Sequence, residues 1–162
     1  MPKQIVIAAL SILLVSAAIV LVSCSSHVQN SFTRLMVRGN GYLEKGDATN
    51  AINIYLEAVK LVPENIDVRL NLANAYLLAN DSSKVIEQCQ QAIAIDHNSA
   101  AAYYLMGCAC LRLNQAEKAV QSFQQSKQID PAVTALDFQL GLAEAALATG
   151  TPVESWGPTG GW

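Results

Sequence analysis

Few side chains in this sequence could take part in catalysis or metal binding. The cysteines and histidines are Cys24, Cys89, Cys108, Cys110, His27 and His97. The spacing of Cys108 and Cys110 suggests a metal-binding pair, but side chains two residues apart on a helix point to nearly opposite sides. No Ser/His/Asp or Cys/His set for nucleophilic catalysis is apparent, and the glycines form no phosphate-binding loop. The sequence therefore predicts a non-enzymatic protein without a metal or other cofactor.

The elements that carry these residues repeat along the chain with a period of 34 residues. Gly39, Ala73, Gly107 and Gly141 follow one another at this spacing. The same spacing relates three further sets, which are Ala51, Val85 and Ala119, then Ala58, Ala92 and Ser126, then Tyr55, Cys89 and Phe123. A fixed period of this length, without gaps, indicates an architecture of stacked supersecondary units.

A 34-residue period with small and large residues in fixed columns resembles the tetratricopeptide repeat family. The resemblance implies an all-α fold, a right-handed α-solenoid of about three and a half helix-turn-helix repeats that follows an N-terminal hydrophobic helix. The predicted domain covers residues 32–149. Its repeats are 32–65, 66–99 and 100–133, with a half repeat at 134–149.

The turns within the repeats contain residues that end and begin helices. In repeat one, helix A is predicted at about 32–45 and helix B at about 49–62. Glycine and asparagine tolerate the left-handed conformation that ends a helix. The column just past helix A consists of Gly46, Asn80 and Asn114. Asp47 and Asp81 directly follow Gly46 and Asn80 and are suited to cap helix B.

Two of the cysteines fall in columns that are otherwise filled by large core residues. Cys89 and Cys110 are therefore predicted to be small core residues. A disulfide from Cys89 to Cys108 or Cys110 is the alternative in an oxidising compartment. Packed helices often hold their Cα atoms too far apart for such a bond. His97 lies in an inter-repeat turn and is predicted to be exposed.

The N-terminus has the layout of a secretory signal. Lys3 precedes an uncharged apolar run from Ile5 to Val22, as a positive n-region precedes an h-region. The run ends in Leu21-Val22-Ser23-Cys24, which is similar to a bacterial lipobox, whose cysteine is lipidated and becomes the mature N-terminus. Residues 1–23 are therefore predicted to be a lipoprotein signal peptide, with lipidation at Cys24. The alternative is a retained transmembrane helix, since about 18–20 apolar residues can span a bilayer.

Both interpretations of the N-terminus place the repeats outside the cytoplasm, because Lys3 stays inside. Multiple acyl chains on Cys24 would anchor the protein stably. Ser25 is not the aspartate that resembles an inner-membrane retention signal, so the outer membrane is favoured, with the repeats facing the periplasm or the cell exterior. Residues 24–31 are predicted to be a polar tether. The net charge of −3 argues against nucleic acid as a partner.

The resemblance also implies a binding surface, because in this family helix A of each repeat lines an inner groove. Some members clamp a peptide carboxylate with two asparagines beside Lys or Arg. Asn40 and Asn74 match the asparagines, but Met36, Tyr104 and Cys108 replace the basic residues. We therefore expect hydrogen bonds to the backbone of an extended peptide, with apolar pockets beside them. The predicted partner-binding residues are Met36, Asn40, Leu70, Asn74, Tyr104 and Phe138.

The fourth unit has a helix A but no helix B. Within it Leu140 is predicted to pack on repeat three, whereas Leu136 and Leu147 have no predicted partner. The tail at residues 150–162 is rich in Gly and Pro and contains Trp156. Either this tail or a second protein, such as another copy, is predicted to cover the open end.

Together these features predict a membrane-anchored adaptor that binds a protein or peptide in its concave groove and assembles or stabilises a cell-envelope complex. It is similar to the repeat lipoproteins that act as pilotins in type IV pilus and secretin assembly, although those typically carry more repeats. One alternative is a constitutive structural subunit, held by repeat packing and by the open C-terminal helix. A redox or enzyme-accessory role for the cysteines is another alternative.

Overall fold

A computed structural model describes residues 26–132 and 136–152, and in these residues the chain forms α-helices and no strands. The helices are α1 (26–44), α2 (Ala48–Leu61), α3 (Ile66–Leu78), α4 (Ser82–Ile95), α5 (Ala100–Arg112), α6 (Ala116–Ile129) and α7 (Leu136–Thr149). The predicted all-α solenoid is confirmed, because from α2 onward each helix packs on the next one, and α3 also contacts α5, as α5 contacts α7.

The turns between paired helices form as the sequence predicts. Asn80 and Asn114 are the non-glycine residues of the described chain with positive φ, at 60° and 57°, and Gly46 has a φ of 73°. Asp47 accepts a hydrogen bond from the backbone N–H of Asn50 at 3.1 Å, and Asp81 caps α4 in the same way. These left-handed residues and caps reverse the chain between helix A and helix B.

Helix α1 covers part of the segment that was predicted to be a tether. Residues 26–31 are helical and continue directly into the predicted helix A. The sequence has no glycine or proline between residues 26 and 38, so nothing interrupts the helix there. Phe32, with 8% of its surface exposed, joins the core and holds this helix on the repeats.

The core joins a small residue of helix A to a residue of helix B that lies 16 positions later. Gly39 faces Tyr55, and a Cβ added at Gly39 would lie 2.5 Å from Cε1 of that ring. The corresponding pair in repeat two is Ala73 and Cys89, both fully buried. The methyl group of alanine is therefore matched by a smaller partner on helix B, which conserves the packed volume.

One expectation about α7 is wrong. Leu136 was predicted to lack a partner, but it is 1% exposed and belongs to the core around Phe123. The buried residues Leu136, Gln139, Ala143 and Ala146 form a stripe along α7, because residues three to four apart share one face of a helix. Leu140 packs on repeat three as predicted. Helix α7 itself therefore covers α6.

None of the helices within residues 26–132 and 136–152 has the length and apolar character needed to cross a membrane. The predicted signal peptide, Cys24 and the tail residue Trp156 lie outside the described residues. Lipidation of Cys24 and coverage of α7 by the tail therefore stay predictions.

Candidate functional site

Asn40 on α1 is held by two hydrogen bonds that come from different helices. Its Oδ1 accepts a hydrogen bond of 2.6 Å from the hydroxyl of Tyr55 on α2. It also accepts one of 3.3 Å from Nδ2 of Asn71 on α3. Both bonds use the carbonyl oxygen, so the amide N–H groups of this exposed residue are available to donate.

Tyr55 is the buried end of this network. The residue is 0% exposed, and burial raises the pKa of its phenol to about 12. The hydroxyl therefore keeps its proton at neutral pH and acts as the donor to Asn40. Because a buried hydroxyl without a partner costs free energy, this bond fixes the orientation of the Asn40 amide.

Asn74 lies one repeat further along on α3, and its setting differs. The side chain is exposed and makes no hydrogen bond within the part of the chain that the structure describes. Its amide can rotate to meet either a donor or an acceptor. The two predicted asparagines are therefore one oriented donor and one adaptable group, placed on helices A of adjacent repeats.

The apolar residues predicted to contact a partner differ in exposure. Met36, Leu70 and Tyr104 are half-buried and pack against the core, so part of each faces neighbouring helices. The Tyr104 ring lies 5.9 Å from the ring of Phe123, tilted by 54°. Phe138 on α7 is 67% exposed and contributes an open apolar surface at the end of this row.

The third position of the asparagine column is Cys108, and it carries no charge. Burial raises the pKa of this thiol to about 11, although a hydrogen bond with Tyr104 and the charge of Arg112 oppose the shift. Cys108 is therefore a neutral thiol at physiological pH. It cannot supply the positive charge that Lys or Arg would bring to a carboxylate at this position.

The three cysteines of the described chain are free thiols. Cys89 and Cys110 are buried, as predicted for core residues. Burial raises the pKa of Cys89 to about 12, and the nearby Cys108 and Cys110 reinforce the shift. Protonated thiols are poor nucleophiles. Within residues 26–132 and 136–152, no group of three His, Cys, Asp or Glu side chains is placed to hold a metal ion.

Sequence reasoning missed the polar residues that connect repeats. Asn71 joins α3 to Asn40 of α1. Arg112 on α5 donates to the backbone carbonyl of Leu77 at 2.6 Å. The bonded residues lie 31 and 35 positions apart in the sequence, close to the repeat period of 34. The period was therefore the sequence signal for these contacts, but it shows only which residues lie on neighbouring repeats, and not which of them form hydrogen bonds.

Comparison with known proteins identifies the repeats. Two family models described as tetratricopeptide repeat match residues 42–109 and 100–133. No curated protein matches the chain.

Several solved structures share the fold. One is the first repeat domain of Spaghetti (RPAP3) bound to the HSP90 peptide SRMEEVD, with 24% identity and a TM-score of 0.71 over 74% of this chain and 94% of that one. The first such domain of human RPAP3 is also 24% identical, with a TM-score of 0.71 over 78% and 97% of the two chains. The TPR2B domain of yeast Sti1, solved as a pHsp70 complex, is 23% identical, with a TM-score of 0.67 over 71% and 97%.

Proposed function

We propose a binding function for this chain, which belongs to the tetratricopeptide repeat family through residues 42–133. It is a non-enzymatic adaptor that binds a protein or extended peptide in its concave groove. The observation that carries the proposal is the pair Asn40 and Asn74. They lie 34 residues apart on helices A of successive repeats, and both are exposed. Donors at this repeat spacing can meet backbone carbonyls of one extended chain.

The network around Asn40 supports backbone recognition. Tyr55 and Asn71 donate hydrogen bonds to the carbonyl oxygen of Asn40, which leaves its N–H groups to donate to a partner. A fixed donor binds with a smaller loss of side-chain entropy than a mobile one. The backbone carbonyl is the acceptor that every peptide offers, so this contact supplies affinity without demanding a particular sequence.

The apolar row supplies specificity in this proposal. Met36, Leu70 and Tyr104 keep part of their surface exposed, and Phe138 is open. One of the similar structures is bound to the HSP90 peptide SRMEEVD, which ends in EEVD, and another is a pHsp70 complex. Here Met36 and Cys108 stand where clamping members carry basic residues. We therefore infer a partner segment with apolar side chains rather than an acidic C-terminus.

We further propose that Cys24 is lipidated and holds the adaptor on a bacterial envelope membrane, facing the periplasm or the cell exterior. The support is the sequence Leu21-Val22-Ser23-Cys24 after the apolar run. An anchored groove fits a role in assembling or stabilising an envelope complex of the pilus or secretion type. A lipid on Cys24 would also raise the local concentration of the groove at the membrane.

The groove is tested by photo-crosslinking in cells and then by affinity. A photoreactive residue at position 74 should cross-link one protein, whereas the same residue at Gln90, exposed on α4, should not. With the identified partner, Asn74→Ala should weaken binding by about 2- to 12-fold, because a lost hydrogen bond costs about 0.5–1.5 kcal/mol. Gln90→Ala is the matched control. Equal cross-linking at both positions, or unchanged affinity of Asn74→Ala, would refute the groove.

A second candidate is a constitutive structural subunit that docks through its C-terminal end. The observation that favours it is the exposure of Phe138 and Leu147 on α7, at 67% and 51%. Exposed apolar surface on a terminal helix often marks an interface. Under this alternative, Leu147→Glu would release the protein from its complex, while Asn74→Ala would leave it bound.

A further inference from the structure

Arg112 on α5 fills the space beside the turn of the preceding repeat. Its Nη1 donates hydrogen bonds to the backbone carbonyl of Leu77 at 2.6 Å and to Oδ1 of Asn80 at 3.2 Å. Leu77 and Asn80 lie at the turn between α3 and α4. A guanidinium with two such acceptors joins helix A of one repeat to the turn between helix A and helix B of the preceding repeat.

The same pair of acceptors occurs one repeat later. Leu111 and Asn114 lie 34 residues after Leu77 and Asn80. The backbone conformations agree, since Asn114 has a φ of 57° and its N–H bonds to the carbonyl of Leu111 at 2.9 Å. For Asn80 the corresponding φ is 60° and the bond to Leu77 is 3.1 Å. The turn that receives Arg112 is therefore reproduced at the turn between α5 and α6.

The guanidinium is not reproduced there. The residue 34 positions after Arg112 is Ala146, whose side chain ends at Cβ. A cavity of about 430 Å³ lies at this place, between the α5–α6 turn and the C-terminal end of α7. Leu111, Asn114, Ala146 and Leu147 are among the residues that line it. The cavity thus occupies the place that the Arg112 side chain fills in the preceding repeat.

The electrostatics of the cavity favour a cation that donates hydrogen bonds. The C-terminal ends of α5 and α7 both border it, and a helix C-terminus presents carbonyl oxygens and partial negative charge. Of the three helices that border the cavity, only α6 does so with its N-terminus, where the partial charge is positive. Glu117 and Lys118 also line the cavity, and their charges have opposite signs and offset each other. Selection therefore rests on the second lone pair of the Leu111 backbone carbonyl and on the side-chain carbonyl of Asn114.

We propose that this cavity is a binding site for the guanidinium of an arginine supplied by a second protein that docks beside α7. The tail at residues 153–162 contains neither Lys nor Arg, so it cannot supply the group. Leu147, 51% exposed beside the cavity, would pack against the aliphatic stem of the arginine. The site lies apart from the groove and does not depend on the proposed function.

The direct test titrates the isotope-labelled full chain, in detergent micelles, with N-acetyl-arginine amide. The expected result is saturable shifts of the Asn114 side-chain and Ala146 backbone NMR signals, with weaker binding of the lysine analogue. The leucine analogue should produce no saturable shift. Asn114→Gly, which keeps the left-handed turn and removes the acceptor, should weaken arginine-amide binding at least several-fold. Shifts that do not saturate, or equal responses to arginine and leucine, would overturn the proposal.

A second test supplies the missing group from within the chain. Ala146→Arg should raise the melting temperature by about 2–4 °C relative to Ala146→Met, which has similar length but no charge. The advantage of Arg over Met should disappear in the Asn114→Gly background. The Ala146→Arg variant should also lose its response to arginine amide. If Arg and Met at position 146 give the same melting temperature, the cavity does not recognise a guanidinium.

Discussion

Gly107 on α5 lies directly against the ring of Phe123 on α6. A Cβ added at Gly107 would lie 2.5 Å from Cε1 and 2.7 Å from Cδ1 of that ring. Gly39 and Tyr55 make the same contact two repeats earlier. Gly141 occupies the next position of the column, and no atom lies within 4 Å of where its Cβ would be. One residue type at one repeat position therefore serves packing at two sites and has no packing role at the third.

This difference predicts opposite effects of the same substitution. Gly107→Ala should lower the free energy of unfolding by about 1–3 kcal/mol, because the buried ring of Phe123 must move. Gly141→Ala should raise it by about 0.5–1 kcal/mol, because alanine stabilises a helix interior relative to glycine. Urea denaturation followed by circular dichroism measures both values. Effects of the same sign would contradict the packing described for this column.

Substitution of the two groove asparagines by alanine should change the free energy of unfolding by different amounts. Asn40→Ala should cost about 1–3 kcal/mol, because the buried Tyr55 hydroxyl loses its acceptor. Asn74→Ala should change the free energy of unfolding by less than about 0.5 kcal/mol, since the residue is exposed. Tyr55→Phe in the Asn40→Ala background should recover part of the loss. If it recovers none, the hydroxyl is not the origin of the cost.

The buried thiol of Cys89 should make the protein less stable in alkali. The folded pKa of about 12 is raised above the ordinary 9.0, so the stabilisation is complete below pH 9 and is lost as the pH rises towards 12. At pH 10 the loss from this residue should be on the order of 1 kcal/mol. Denaturation curves at pH 7 and 10 measure it, and Cys89→Ala should show a smaller difference between them. Tyr55 and Tyr104 add to the remaining difference, because burial raises the pKa of each to about 12.

Lipidation of Cys24 is tested by mass. The mature protein should begin at Cys24 and carry the additional mass of acyl chains, because the sequence before it matches a lipobox. Cys24→Ala should accumulate an uncleaved or mislocalised precursor. Intact-mass analysis of the wild-type protein that finds a free Cys24, or Met1 still present, would exclude the lipoprotein prediction, and Met1 still present would favour the retained helix.

The sequence alone was enough to predict the local features of the repeats. Residues such as Asn80 and Asp81 end and cap helices through their own backbone preferences, which depend on a few neighbours in the chain. The period of 34 also placed Cys89 and Cys110 in the core, where the structure has them. The repeated units, their turns and their small-to-large columns could therefore be predicted without coordinates, because local preferences and a fixed period express them.

Only the tertiary structure decided which faces are covered and which polar groups meet. Leu136 had no partner predicted from the sequence, yet it is buried, because the face that α7 turns toward α6 depends on the rotation of the packed helix. The hydrogen bonds of Asn40 with Tyr55 and Asn71 link three helices, and a column of residue types does not specify them. The cavity beside Ala146 is likewise a property of three packed elements. Such features depend on distances between helices, and these are set by all the side chains packed between them.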